Sequence, residues 1–182
     1  GPAEARLAGY CSAKGRLLAS FVMWKPHPEE VLLACHASVL AATLKRLSMF
    51  VMRAKCQLTD ATADFEWLGV CGEAARQATA GLQPWGRSEV AGANWIRLPD
   101  VSGTARAWRT TERAGDALAP VPPDDAALQH WKRLEVETGI PVIEATTVEQ
   151  FVPQMLNFEL IGAVNFQKGC YPGQEVVARS QY

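Results

Sequence analysis

The ten residues from Phe166 to Glu175 hold the side chains of this sequence that are best suited to chemistry. Cys170 follows Lys168 by two residues and precedes Pro172, a residue favoured in the first turn of a helix. Residues 173–182 contain good helix formers, so we expect the cysteine just before a helix N-terminus. The helix dipole and the nearby ammonium group would both favour a reactive thiolate. A buried, unreactive thiol is the alternative interpretation.

The residues around this thiol are candidates for binding a ligand. The lysine is suited to an anionic group, and the tyrosine to stacking on a flat one. The two glycines allow a close backbone approach or a positive φ. The glutamine and glutamate would lie in the first helical turn, where they either bind a ligand or cap the helix. These candidates are Lys168, Gly169, Tyr171, Gly173, Gln174 and Glu175.

The octet from Lys168 to Glu175, Lys-Gly-Cys-Tyr-Pro-Gly-Gln-Glu, resembles the signature of the YgfZ family of folate-binding proteins. This family is related to the aminomethyltransferase, or T-protein, of the glycine cleavage system. Further segments agree with the family in order and spacing. They are Tyr10 to Arg16, Met52 to Lys55, Arg133 to Glu135, Gly139 to Pro141 and Phe151 to Asn157.

The resemblance implies an α+β protein built from two small α/β-sandwich-like units of the T-protein/YgfZ folate-binding fold. Residues 1–72 would form the first unit, and residues 73–182 the second, which ends in the cysteine motif and its helix. The resemblance also implies that the start of the fold and its C-terminal barrel domain lie outside this sequence.

The implied ligand is tetrahydrofolate or a derivative, with Cys170 and Lys168 as the catalytic residues. The implied role is to support the assembly or repair of iron–sulfur clusters, including those of tRNA-modifying enzymes. Partners would be iron–sulfur proteins or cluster carriers in the cytoplasm, with no direct nucleic-acid binding and no membrane. Arg133 would pair with the glutamate-tail carboxylate of a folate, although an ordinary surface ion pair is the alternative.

The first hairpin departs from the T-protein pattern. T-proteins carry two aspartates there, where this chain has Ala19 and Ser20. A serine cannot act as a general base at neutral pH, so we do not expect aminomethyl transfer. We expect Ser20 at the folate cavity, although Leu18 and Val22 share its face and favour burial. A one-carbon transferase with an acidic group elsewhere and a non-catalytic interaction module remain alternatives.

Composition excludes several other classes of protein. Hydrophobic residues make up 48% of the 182 residues and charged ones 20%, as in ordinary globular proteins. A net charge of −1 gives no long-range field that would attract nucleic acid. No apolar run is long enough to span a membrane. The five cysteines lack a Cys-x-x-Cys pair, so we expect neither a disulfide framework nor a metal site.

Hydrophobic periodicity and turn residues predict a mixture of hairpins and helices. The first two strands form a hairpin around a glycine-containing turn, and Ser38 caps the first helix. The predicted strands are 7–11, 17–24, 31–35, 56–58, 65–70, 93–98 and 104–110, and the predicted helices are 38–52, 73–82, 126–137 and 173–182.

Overall fold

The computed structural model of the chain describes residues 3–113, 124–165, 169 and 173–179. Within this part of the chain the fold is α+β, as the sequence predicts, with two antiparallel sheets and four α-helices. The strands are β1 (Arg6–Cys11), β2 (Leu17–Trp24), β3 (Leu32–Ala34), β4 (Phe65–Cys71), β5 (Arg87–Val90), β6 (Ala93–Val101) and β7 (Thr104–Glu112). The helices are α1 (Ala37–Ser48), α2 (Glu73–Ala78), α3 (Asp125–Glu137) and α4 (Gln174–Arg179). None of these helices is long and apolar enough to cross a membrane.

The chain divides into two compact units, each built from two separate stretches of sequence. The sheet unit is Gly1–Ala5 with Asp60–Ile140, and the hairpin unit is Arg6–Thr59 with Pro141–Tyr182. The sequence prediction instead divided the chain after residue 72. The difference has two causes. Strand β4 pairs with β7. Residues 141–165, which we call the returning segment, belong to the hairpin unit although they follow the sheet unit in sequence. Contacts this distant in sequence leave no local pattern.

In the hairpin unit, β2 is the central strand of the order β1-β2-β3. Ala19 and Phe21 of β2 pack with Val39 of α1, and all three side chains are buried. Leu17 at the start of β2 packs instead with Ile143 and Phe158, from the returning segment. The returning segment therefore completes the core around β2.

In the sheet unit the strand order is β4-β7-β6-β5. Ala75 of α2 packs on Ala105 and Ala107 of β7, where small side chains let the helix approach closely. Trp131 of α3 lies against Gly69 of β4. A Cβ atom at Gly69 would come within 2.7 Å of the indole ring, so this contact requires glycine.

Several predicted element boundaries are wrong. Residues 56–58 form no strand, whereas β5 forms at Arg87–Val90, where the sequence analysis predicts none. Helix α1 ends at Ser48 rather than at residue 52, and α2 ends at Ala78 rather than at residue 82. The N-cap of α1 is His36, whose Nδ1 accepts a hydrogen bond from the backbone N–H of Ser38. The Ser38 hydroxyl instead accepts from the backbone N–H of Ala145 at 3.0 Å.

Candidate functional site

The described part of the cysteine motif consists of Gly169 and the residues from Gly173 onward. Lys168, Cys170 and Tyr171, three of the predicted site residues, lie outside the described residues. Gly169 is exposed, and an added Cβ atom there would meet no other atom within 4 Å. The geometry of the site can therefore be built from Gly173, from α4 and from the residues that hold them.

Helix α4 begins against the turn between β1 and β2. Gly173 has a φ of +84° and Gly15 has a φ of +72°, so both residues take backbone conformations that favour glycine. A Cβ atom on Gly173 would lie 2.5 Å from the carbonyl oxygen of Ser12 and 2.7 Å from the backbone nitrogen of Gly15. The two glycines thus let two stretches of backbone touch. This contact fixes the start of α4 inside the cysteine motif.

The returning segment holds the β1–β2 turn in place. The backbone N–H of Ser12 donates to the carbonyl of Arg16 at 2.8 Å, which closes the turn. The Arg16 guanidinium donates to the carbonyl of Gln150 at 2.7 Å. The backbone N–H of Leu17 donates to the carbonyl of Phe151 at 2.8 Å. The turn beneath α4 is therefore closed on itself, and its β2 end is bonded to the returning segment.

Gln154 connects the returning segment directly to α4. Its side-chain Nε2 donates to the carbonyl of Val177 at 2.5 Å, and the Val177 side chain is buried. Two buried polar atoms, the Gln154 Oε1 and the Ser12 Oγ, have no hydrogen-bond partner among the described residues. The carbonyl of Ser12 lies against Gly173. Buried polar atoms are normally paired, so these two unpaired atoms are unusual within the described part of the chain.

Sequence reasoning did not single out Ser12 or Gly15 as site residues, and for Gln154 it preferred a local turn or packing role to folate contact. The available signal was weak but present. All three residues fall within segments whose order and spacing resemble the family, at residues 10–16 and 151–157.

Glu175 and Gln174 lie in the first turn of α4, as predicted. The Glu175 carboxylate accepts a hydrogen bond from the Arg179 guanidinium, four residues along the helix. Both side chains are exposed, so this pair adds little stability. A ligand-binding role for Gln174 or Glu175 stays a prediction.

Arg133 lies on α3 in the sheet unit and not in the unit that contains α4. Its Nε donates to the Glu137 carboxylate at 2.6 Å, one turn along an exposed helix face. This hydrogen bond holds the pKa of Glu137 below its ordinary value. The surface ion pair that the sequence offered as the alternative for Arg133 is therefore present.

The two hairpin positions that are aspartates in T-proteins lie inside the hairpin unit. Ala19 is completely buried, and Ser20 is only 9% exposed. The Ser20 hydroxyl accepts a hydrogen bond from the backbone N–H of Ile143 at 2.9 Å. Burial is the outcome that the shared face with Leu18 and Val22 favoured. The hydroxyl is already engaged in a backbone contact.

No family model matches the sequence. The chain is 31% identical over 190 aligned residues to a protein of Serratia proteamaculans, and this match covers the whole chain and 57% of that protein. It is 33% identical to a protein of Sodalis glossinidius, with 96% of the chain and 55% of that protein covered. A protein of an Enterobacter species is 31% identical, with coverage of 97% and 56%. All three are named tRNA-modifying protein YgfZ.

The chain thus spans a little over half the length of each of these relatives, and its own sequence is matched almost from end to end. The motif and the segments that carry the glycine contact lie inside the matched region of the first relative. The chain belongs to the YgfZ family.

Proposed function

We propose that this chain is the folate-binding part of a protein that takes part in tRNA modification by supporting the iron–sulfur clusters of tRNA-modifying enzymes. The names of its relatives support the role in tRNA modification. The octet at residues 168–175 supports folate binding and the role in iron–sulfur cluster support, through its resemblance to the YgfZ family of folate-binding proteins. The partners would be iron–sulfur proteins or cluster carriers.

The observation that carries this proposal is the contact between Gly15 and Gly173. It anchors the end of the motif on a turn that is itself held by the returning segment. A motif used for chemistry needs such rigid support, because a loosely held reactive group loses its geometry.

Two unpaired polar atoms support the folate part of the proposal. The Ser12 Oγ and Gln154 Oε1 are buried beside α4 and lack partners among the residues that the structure describes. A pterin ring has donors and acceptors along its edge that would satisfy such atoms. Lys168 and Tyr171 of the motif would hold and stack on the same ligand. Tetrahydrofolate, or a derivative, would supply a carrier for a one-carbon unit.

Cys170 would act as a thiolate, the form of cysteine that serves as a nucleophile or as a ligand for soft metal ions. The ammonium group of Lys168, two residues away in sequence, would favour that form. The first hairpin offers no carboxylate at Ala19 or Ser20, and the Ser20 hydroxyl is engaged by Ile143. These residues do not favour aminomethyl transfer by the T-protein route.

Cysteine labelling tests the reactive residue. Cys56 is an exposed free thiol and serves as the control for accessibility alone. At neutral pH, iodoacetamide should alkylate Cys170 faster than Cys56 in the full-length protein. In cells, Cys170→Ala should lower the content of the tRNA nucleosides that iron–sulfur enzymes modify, whereas Cys56→Ala should not. Equal labelling, together with normal nucleosides in the Cys170 variant, would refute the role of this thiol.

Ligand binding needs a separate test. Excess tetrahydrofolate should raise the melting temperature of the full-length protein, because a ligand that binds only the native state stabilises it. Ser12→Ala and Gln154→Leu should reduce this increase. A melting temperature that does not respond to tetrahydrofolate would contradict the folate part of the proposal and leave the thiol test unaffected.

A further inference from the structure

The end of α1 and the residues after it form a basic surface in the hairpin unit. Residues 31–59 contain no aspartate or glutamate, although the whole chain carries a net charge of −1. Four cations fall within eleven residues of this stretch, and all four side chains are exposed. They are Lys45, Arg46, Arg53 and Lys55.

The same surface exposes three large apolar side chains between its two pairs of cations. Met49, Phe50 and Met52 are 61%, 68% and 86% exposed, respectively. Backbone hydrogen bonds shape this turn: the Phe50 N–H donates to the carbonyl of Leu47, and the Met52 N–H donates to the carbonyl of Phe50. An exposed apolar cluster rimmed by polar groups is typical of an interaction site. We call residues 45–55 the basic apolar surface.

We propose that the basic apolar surface docks an acidic amphipathic segment of a partner protein. Apolar side chains of that segment would cover Met49, Phe50 and Met52, and its carboxylates would face the four cations. Methionine side chains are flexible and polarisable, so they adapt to the apolar side chains of a binding helix. The absence of any acidic residue in 31–59 means that an acidic segment meets no like charge there.

The chemistry favours protein over nucleic acid. Phe50 is the only aromatic residue in the basic apolar surface, and single-stranded RNA is normally bound by stacking successive bases on several aromatic rings. Methionine offers no flat platform for a base and no donor for a phosphate. The net charge of −1 also gives no long-range attraction for a polyanion.

The first experiment asks whether the surface is open in the full-length protein. Hydroxyl-radical oxidation should modify Met49 and Met52 about as readily as Met155, which is 64% exposed elsewhere in the same unit and serves as the internal control. Strong protection of Met49 and Met52 relative to Met155 in the protein alone would show that its own chain or a second copy covers them. That result would overturn the proposal.

The second experiment uses defined probes and fluorescence anisotropy. A helical peptide with leucines on one face and glutamates on the other should bind and should protect Met49 and Met52 from oxidation. The same peptide with lysines in place of the glutamates should bind about tenfold more weakly or not at all, and added salt should weaken binding of the acidic peptide. A single-stranded oligouridine that binds as tightly as the acidic peptide and protects the same methionines would overturn the choice of partner. Failure of the acidic peptide to bind would overturn the proposal itself.

Two pairs of variants complete the test. Phe50→Ser with Met52→Ser, and separately Lys45→Glu with Arg46→Glu, should each lower the affinity for the acidic peptide about tenfold. These side chains are exposed, so the variants should fold normally. The matched control is Lys132→Glu with Val136→Ser, which changes one exposed cation and one exposed apolar side chain on α3. Equal losses in the control and test variants would show that binding follows net charge and exposed apolar area, and would overturn the assigned surface.

Discussion

The hydroxyl of Ser20 accepts a hydrogen bond from the backbone N–H of Ile143, across 123 residues of sequence. Ile143 is almost completely buried, so its N–H group has no access to water if the hydroxyl is removed. The contact joins β2 to the returning segment that supports α4. A residue at a position where T-proteins carry an aspartate thus has a structural role in this chain.

Replacing Ser20 should destabilise the hairpin unit in two distinct ways. Ser20→Ala leaves the buried Ile143 N–H unpaired and should lower the free energy of unfolding by about 1–3 kcal/mol. Ser20→Asp keeps an acceptor but buries a carboxylate, so its cost should be larger at neutral pH. Urea unfolding measures both effects. Ser48→Ala, which removes an exposed hydroxyl bonded to Leu44, is the control and should change little. A Ser20→Asp variant with normal stability would place the side chain in a hydrated cavity.

Gly173→Ala should loosen α4. The added methyl group would overlap the backbone of the β1–β2 turn, and alanine disfavours the positive φ. Together these effects should lower the free energy of unfolding by about 2–4 kcal/mol. Gly162→Ala is the matched control, because Gly162 also has a positive φ but nothing lies within 4 Å of an added Cβ atom. Amide hydrogen exchange in residues 176–179 should accelerate in the Gly173 variant. Equal exchange rates in the two variants would show that strain alone, and not the turn contact, governs α4.

The sequence predicts the local features of the fold well. Two apolar runs around a glycine-containing turn predicted the β1–β2 hairpin, and the bounds of β2 agree with the structure residue for residue. Helix α3 begins at Asp125, one residue before its predicted start, and Asp124 caps it. These features depend on residues close in sequence, where turn, capping and periodicity rules apply.

Features that depend on distant partners could not be predicted. Residues 56–58 have strand-like side chains, but no strand in the described part of the chain pairs with them, whereas Arg87–Val90 pairs with β6 despite its weak pattern. The site shows the same limit. The motif was visible in the sequence, but its contact with Gly15 and the role of Gln154 depend on chain packing.

Arg106 should tolerate removal only together with its partner. Its side chain is almost fully buried in the sheet unit, where it pairs with Glu135 and lies 4.7 Å from the ring centre of Trp131. Arg106→Met would leave Glu135 without its counter-charge and should lower the free energy of unfolding by about 3 kcal/mol at neutral pH. The double variant Arg106→Met with Glu135→Leu should recover most of that loss, because no partly buried charge remains. Urea unfolding of the single and double variants measures their free energies of unfolding. A double variant as unstable as the single one would contradict this account.

Two carboxylates on α3 should respond to pH with opposite signs. Burial raises the pKa of Glu135 despite the nearby Arg106, and the hydrogen bond from Arg133 lowers the pKa of Glu137. As the pH rises from about 4, Glu135 ionises in the unfolded chain before it ionises in the folded one. Its contribution to the free energy of unfolding therefore falls, until the pH exceeds the pKa of Glu135 in the folded protein. The contribution of Glu137 is present above its unfolded pKa and is lost as the pH falls through its lowered folded pKa.

Subtracting the stability of a glutamine variant isolates each of these contributions. The free energy of unfolding of the wild type minus that of Glu135→Gln should fall as the pH is raised from about 4 towards neutrality. The same difference for Glu137→Gln should rise slightly with pH, because that carboxylate is exposed and screened by water. Urea unfolding at several pH values provides both curves. A Glu135 difference that rises with pH would mean that attraction to Arg106 outweighs burial, and the ion pair would then stabilise the fold.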